Sequence, residues 1–430
     1  MVGVPFGRHL LTGATVCFDP ISWFARAKLI ANPSAFVMGL PGLGKSSSVR
    51  HLIMGLAAMG VHSMVLGDLK PDYVDLVRAL GGQVIEVGRG RGRINPLDTG
   101  ESASGSDRMP IPRKLRKELR EDAHGRRLTM LASLVQLARN AAPSDREEAI
   151  LDQSLLVLDA KLSRTPVIAD VLDVIRQAPD PVRQVAIDRG DIERYQDITE
   201  GLEATLVSML SGRFGDVFSG QTSTPMSLDR PVVFDVSSIN ENDKALEAAA
   251  LMCCWSHGFG QVNAANLIAD AGLAPRRHFL IVMDEIWRAL RAGAGMVDRF
   301  DALTRLNRAA GTGQIMITHT MKDLESLASE EDRSKARGFV ERAGAVVCGG
   351  LPGTEMEALT KAVTLSQVEQ TMLTSWQDPP SWDGATGQES EPPGLGKFLI
   401  KVGGRPGIPV KVVLTPTERE VNDTNKRWQI

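Results

Sequence analysis

Gly39-Leu40-Pro41-Gly42-Leu43-Gly44-Lys45-Ser46, followed by Ser47, fits the phosphate-cradling pattern G-x-x-x-x-G-K-[ST] at every fixed position. The apolar run 34–38 before it suits a buried strand, and residues 45–59 after it have the pattern of an amphipathic helix. Glycines let a backbone approach phosphate closely, and the loop N–H groups and helix N-terminus face the anion. In that arrangement Lys45 reaches the terminal phosphates and the Ser46 hydroxyl enters a Mg²⁺ shell. A glycine turn that merely precedes a helix is the competing reading, and the flanking strand and helix argue against it. The stretch therefore predicts binding of a nucleoside triphosphate, ATP with Mg²⁺, through Gly39 to Ser47.

Residues 278–285, His-Phe-Leu-Ile-Val-Met-Asp-Glu, are an apolar run ending in two carboxylates. Such a run suits a strand buried on both faces of a parallel sheet, where ligand groups collect at carboxyl ends of strands. Asp284 is then a Mg²⁺ ligand, directly or through water, and Glu285 the base that orients and deprotonates the attacking water. Alone, the pair could equally cap the helix expected from Ile286 onward. Paired with the phosphate loop, it points to hydrolysis.

At 430 residues and 43% hydrophobic, the chain can bury a large core. A net charge of −3 argues against a non-specific nucleic-acid coat but leaves room for a basic channel. No uninterrupted apolar stretch would cross a bilayer, and the N-terminus lacks a secretory layout, so a cytoplasmic setting is expected. Cys17, Cys253, Cys254 and Cys348 make no C-x-x-C pair, which argues against a zinc site or a disulfide framework. Two tyrosines and 5% aromatics argue against base-stacking surfaces.

The pattern divides into residues 1–112 as the first part of an α/β ATPase domain, 113–230 as an inserted helical subdomain, and 231–430 as the second part. Further strands are expected at 62–68, 83–87, 231–236, 314–318 and 345–348, with a closing antiparallel pair at 398–402 and 409–414. Helices are expected at 71–80 and 243–255, and throughout 114–218. Ser144 with Glu147 reads as a capping box, and Thr165-Pro166 as a cap followed by proline at the first helical position. Residues 101–113 and 378–396 read as loops. The basic cluster Arg113, Lys114, Arg116, Lys117, Arg120, Arg126 and Arg127 reads first as a solvated helix face, as do Arg89, Arg91 and Arg93 as a solvated loop.

Several stretches together resemble the TraC/TrbE/CagE-type ATPases of type IV secretion, within the wider FtsK/HerA group of hexameric motors. They are Asp68-Leu69-Lys70-Pro71-Asp72-Tyr73, Gly81-Gly82, Ile94-Asn95-Pro96-Leu97-Asp98, Asp284-Glu285-Ile286-Trp287 and residues 318–324. The likeness spans nearly the whole chain, from Gly3 to Glu420. It implies a RecA-like P-loop fold with a mostly parallel central sheet and an inserted all-helical subdomain. It implies a homohexamer that powers assembly of, or transfer through, a secretion machine. The implied partners are channel or coupling proteins and DNA, with peripheral attachment at the inner face of the membrane through them. It places a trans-acting arginine at Arg308, with Arg305 one turn earlier as the alternative. His319 stands where the group usually has Gln, and as a residue just past a strand beside Asp284 it is expected to sense the γ-phosphate. Asp68 is expected either to hold water or Mg²⁺ or to cap the helix that follows. Members of the group carry a sizeable domain ahead of the ATPase domain, whereas 38 residues precede Gly39 here, so attachment to a channel would draw on another chain. The alternatives are a double-stranded DNA translocase like the coupling proteins, and a scaffold that binds nucleotide with little turnover.

Overall fold

The computed structural model describes residues 1–100, 111–291, 296–304, 311–327, 329–383 and 388–421. Its centre is an 11-stranded sheet. The strands are β1 (Pro5–His9), β2 (Thr15–Cys17), β3 (Ser34–Met38), β4 (Val61–Asp68), β5 (Gln83–Glu86), β6 (Val232–Asp235), β7 (His278–Met283), β8 (Gly313–Ile317), β9 (Ala345–Cys348), β12 (Lys397–Lys401) and β13 (Ile408–Val412). A separate two-stranded hairpin, β10 (Trp382–Asp383) with β11 (Gln388–Glu389), lies in the stretch expected to be loop. The sheet order is β2-β1-β13-β12-β9-β3-β8-β7-β4-β6-β5. From β9 to β5 every pairing is parallel, and β12, β13, β1 and β2 extend the sheet by antiparallel pairing.

Alternation along β3 shows how the sheet is covered. Ala35 and Val37 join one core with Val49, Leu52, Ile53 and Leu56 of the helix Lys45–Ala57. Phe36 and Met38 point to the opposite core, shared with the helix Lys244–Asp270 and the helical block. Successive strand residues face opposite ways, so a strand covered on both sides reads as one continuous apolar run.

Between β5 and β6 all described elements are helices: Arg113–Arg139, Asp145–Lys161, Ile168–Gln177, Asp180–Ala186, Ile192–Leu210 and Gly212–Phe218. The first packs on Lys244–Asp270 through Leu115, Leu119, Ala264 and Ile268, joined by Ile111 just ahead of the helix. Ser144 and Glu147 form the expected capping box. Thr165-Pro166 does not cap: the helix starts two residues later, where the Asp170 carboxylate accepts from Val167 N at 2.8 Å. The Thr165 and Pro166 carbonyls instead accept from Gln221 and Asn95. The helix expected from 71 begins at Val74, because the Asp68 carboxylate gathers the N–H groups of Asp72 and Tyr73 into a turn first. Cys253 and Cys254 are buried on Lys244–Asp270, as free thiols. No described helix is long and apolar enough to cross a membrane.

Candidate functional site: a phosphate loop facing a carboxylate pair

Strand order brings the two motifs together. β8 lies between β3 and β7, with Val37 beside Ile317 and Met283 beside Met316, so the carboxyl ends of all three strands meet at one edge. β4 flanks β7 on its other side and ends at Asp68. A cavity of about 370 Å³ opens at that edge. Pro41, Gly42, Gly44, Lys45, Ser46 and Ser47 line one side of it, and Asp284, Glu285 and His319 the other.

The loop is fixed by its neighbours. Gly39 N donates to the His319 carbonyl (2.9 Å) and Leu40 N to the Gly350 carbonyl (3.0 Å). Gly396 N donates to the Leu43 carbonyl (3.0 Å). Gly42 (φ 80°) and Gly44 (φ 95°) take left-handed backbone, which a side chain would strain. Gly44 is the N-cap of Lys45–Ala57, so the helix points its free N–H groups toward the cavity. Lys45 Nζ donates to the carbonyls of Gly39 (2.6 Å) and Leu40 (3.1 Å). Burial lowers its pKa to about 8, against the opposing pull of Asp284 and Glu285.

The carboxylates differ in setting. Asp284 accepts from Glu285 N (2.8 Å) and from the Tyr73 hydroxyl (3.0 Å). Burial and the adjacent Glu285 charge push its pKa up to about 6. Glu285 occupies left-handed backbone, φ 51° and ψ 37°, at the start of the helix Ile286–Leu290. Such a conformation in a residue other than glycine is held by its surroundings and concentrates at functional sites. Its Oε2 accepts from Trp287 Nε1 (2.5 Å), and its Oε1 lies 3.2 Å from both Lys70 Nζ and His319 Nε2. Burial alone would raise its pKa, but the bond and charge of His319, with Lys70 and Trp287, hold it down at about 2. Glu285 is thus a carboxylate ringed by donors. The Trp287 ring lies under two guanidinium groups, Arg291 at 4.7 Å and Arg288 at 5.2 Å. Arg288 in turn pairs with Glu247 (3.0 Å) and Arg291 with Asp323 (3.3 Å).

Of the residues expected at the site, Pro41, Gly42, Gly44, Lys45, Ser46, Ser47, Asp284, Glu285 and His319 line this cavity, whereas Gly39, Leu40 and Leu43 belong to the loop but not to the lining. Arg308 and Arg305 lie outside the described residues. Asp68 lines the cavity as well, and its carboxylate accepts from Asp72 N (3.0 Å) and Tyr73 N (2.7 Å) in the turn ahead of the helix. Burial still raises its pKa to about 7. Lys70, Tyr73 and Trp287 belong to the site without having been assigned to it. All three sit in the stretches that carry the resemblance; strand order sets the contacts of Lys70 and Tyr73 to the carboxylates, whereas Trp287 reaches Glu285 from two residues along the chain.

Phosphate loop after β3, carboxylates after β7 and a polar residue after the strand between them define the RecA-like class of P-loop ATPase fold. The particular likeness is to VirB4 and to the plasmid coupling protein TrwB. VirB4 of Thermoanaerobacter pseudethanolicus superposes with a TM-score of 0.70 at 18% identity, over 97% of this chain and 98% of that one. The plasmid coupling protein TrwB in complex with ADP and Mg²⁺ matches with a TM-score of 0.52 at 14% identity, over 89% and 86%. TrwB with a non-hydrolysable ATP analogue gives 0.53 at 13%, over 89% and 85%. No family model matches the sequence, and no curated protein matches it.

Proposed function

We propose that this chain is the ATP-hydrolysing subunit of a type IV secretion or conjugative-transfer motor, acting as a homohexamer. The observation that carries the enzymatic part is Glu285, held in left-handed backbone at the end of β7 and facing Lys45 across one cavity. In this reading Gly39 to Ser47 wrap the phosphates, Lys45 supplies a point charge, and Glu285 orients the attacking water and takes its proton. His319 stands beside Glu285 at the end of β8, where it can report the terminal phosphate. Arg308 is proposed to reach a neighbouring subunit's site.

The donors fit Mg²⁺. Ser46 offers a hydroxyl at the cavity wall, and Asp284 is a carboxylate that burial pushes toward its neutral form, so a cation beside it restores the charge. Bound there, Mg²⁺ would neutralise phosphate charge. The wider role draws on the whole-length likeness to VirB4. The likeness to TrwB supports the second reading, a coupling-protein-like motor acting on DNA.

Mixing Arg308→Ala with Glu285→Gln subunits tests the assembly. Some interfaces then combine an intact base with an intact arginine, and turnover should partly return. Hydrolysis by an isolated monomer as fast, per site, as by the assembly would refute the trans role. Stimulation by duplex DNA would favour the coupling-protein reading.

A further inference from the structure

Lys70 is a second lysine in the nucleotide cavity, and the roles set out above leave it without one. It lies on the loop that leaves β4, two residues past Asp68, and lines the cavity with Lys45 and Ser46. The backbone around it is pinned. Asp68 holds Asp72 N and Tyr73 N. Arg50, on the phosphate-loop helix, donates from Nη1 to the Asp72 carbonyl at 2.6 Å. Tyr73 reaches across to Asp284. The loop is thereby tied to both motifs, while the Lys70 side chain stays 49% exposed.

Its partner is Glu285 Oε1, at 3.2 Å. That oxygen also faces His319, and Trp287 engages the other. With every donor in place, Glu285 has little acceptor capacity left for a water molecule. Lys70 is the donor most easily released. It is a flexible four-carbon stem ending in three rotatable N–H bonds, and its end of the ion pair is half in solvent while Glu285 is buried, so the lysine can leave without itself being uncovered. Trp287 is held by the Arg288 and Arg291 guanidinium groups over its ring, and His319 is 24% exposed on its side chain. Lys70 is also close enough to Lys45 for their charges to repel, which helps to lower the Lys45 pKa. Two ammonium groups facing one cavity are mutually unfavourable until a polyanion lies between them.

We propose that Lys70 contacts the terminal phosphate of the bound nucleoside triphosphate, exchanging Glu285 for it. The exchange frees Glu285 Oε1 to accept from the attacking water, while Trp287 and His319 keep the carboxylate in place. No bond is made or broken by Lys70; its charge moves from a carboxylate to a phosphate. A diphosphate lacks the group it contacts, so the lysine would then stay on Glu285. This inference rests on the ATPase reading of the site.

The test is titration of full-length wild type, Lys70→Met and Lys70→Arg with Mg²⁺ and either ADP or a non-hydrolysable ATP analogue, alongside steady-state turnover. Removing a lysine that contacts only the terminal phosphate should weaken analogue binding about tenfold and leave ADP binding within about twofold. Turnover should fall by at least a similar factor, and Lys70→Arg should retain most of both. Unfolding midpoints close to wild type would show that the variants fold. Equal losses for ADP and the analogue would overturn the proposal, as would an unchanged analogue affinity, whether turnover held or rose. A wild-type protein that binds neither nucleotide would instead refute the ATPase reading itself.

Discussion

Trp287→Phe removes one N–H from Glu285 and little else. Trp287 Nε1 donates to Glu285 Oε2 at 2.5 Å, and the ring is held under the Arg288 and Arg291 guanidinium groups. Phenylalanine keeps an aromatic face for both cations and loses the donor. A hydrogen bond to a charged group contributes about 1.5–3 kcal/mol, equivalent to about 10- to 100-fold in a rate if all of it acts in the transition state. His319 remains on Oε1 and still holds the carboxylate, so the lower part of that range applies. We expect kcat to fall about tenfold, KM to stay within about twofold, and the unfolding midpoint to move by no more than about 3 °C. With one donor gone the Glu285 pKa rises from about 2 toward its ordinary value, which leaves it ionised at neutral pH. The loss of rate at pH 7 is therefore one of position, and any change in the pH profile appears on the acid side. Steady-state ATPase assays from pH 4.5 to 8, with thermal unfolding alongside, decide it. An unchanged kcat, or a loss expressed wholly in KM, would refute the claim that Trp287 positions the base.

Burial lowers the Lys45 pKa to about 8 and a bound polyanion favours the charged form, so nucleotide binding should take up a proton above that pH and weaken as pH rises further; calorimetry at pH 8.5 in buffers of different ionisation enthalpy reads the uptake directly. Asp284 titrates near 6, and its neutral form is a poor metal ligand, so the Mg²⁺ concentration for half-maximal turnover should climb as pH falls through 6. Tyr73→Phe, which removes a donor to Asp284, should move that rise to higher pH. His319→Gln should remain active, whereas His319→Ala should keep binding ATP and lose turnover; normal hydrolysis in His319→Ala would exclude a sensing role.

Local signals carried the parts of the fold that chemistry makes local. Residues 35–38 and 279–283 are wholly apolar because both faces of β3 and β7 are covered, so their strands and the motifs at their ends were legible. The Lys244–Asp270 helix was legible only as far as Trp255, because Gly258 and Gly260 weaken a helical reading beyond it. A Cβ at Gly258 would come within 2.5 Å of the Leu66 side chain, and one at Gly260 within 2.3 Å of the Thr99 carbonyl. These glycines are packing contacts in a continuous helix, and that reason lies in the partner strand and loop. β1 and β2 escaped notice for a related cause: β1 acquires its place by pairing with β13 at the other end of the chain. The contacts of Lys70 and Tyr73 to the carboxylate pair span more than 200 positions, 215 and 211. Strand order sets them, and no local pattern encodes strand order.

The account stands on Lys45 and Glu285 dividing binding from chemistry at one site. The direct measurement is ATP binding and single-turnover hydrolysis by wild type, Lys45→Ala and Glu285→Gln under the same conditions. Lys45→Ala should bind ATP at least about tenfold more weakly, because a buried charge that faces the phosphates is gone. Glu285→Gln should bind ATP about as well as wild type and hydrolyse it at least about 100-fold more slowly. Hydrolysis at the wild-type rate in Glu285→Gln, or undiminished ATP binding in Lys45→Ala, would contradict the account.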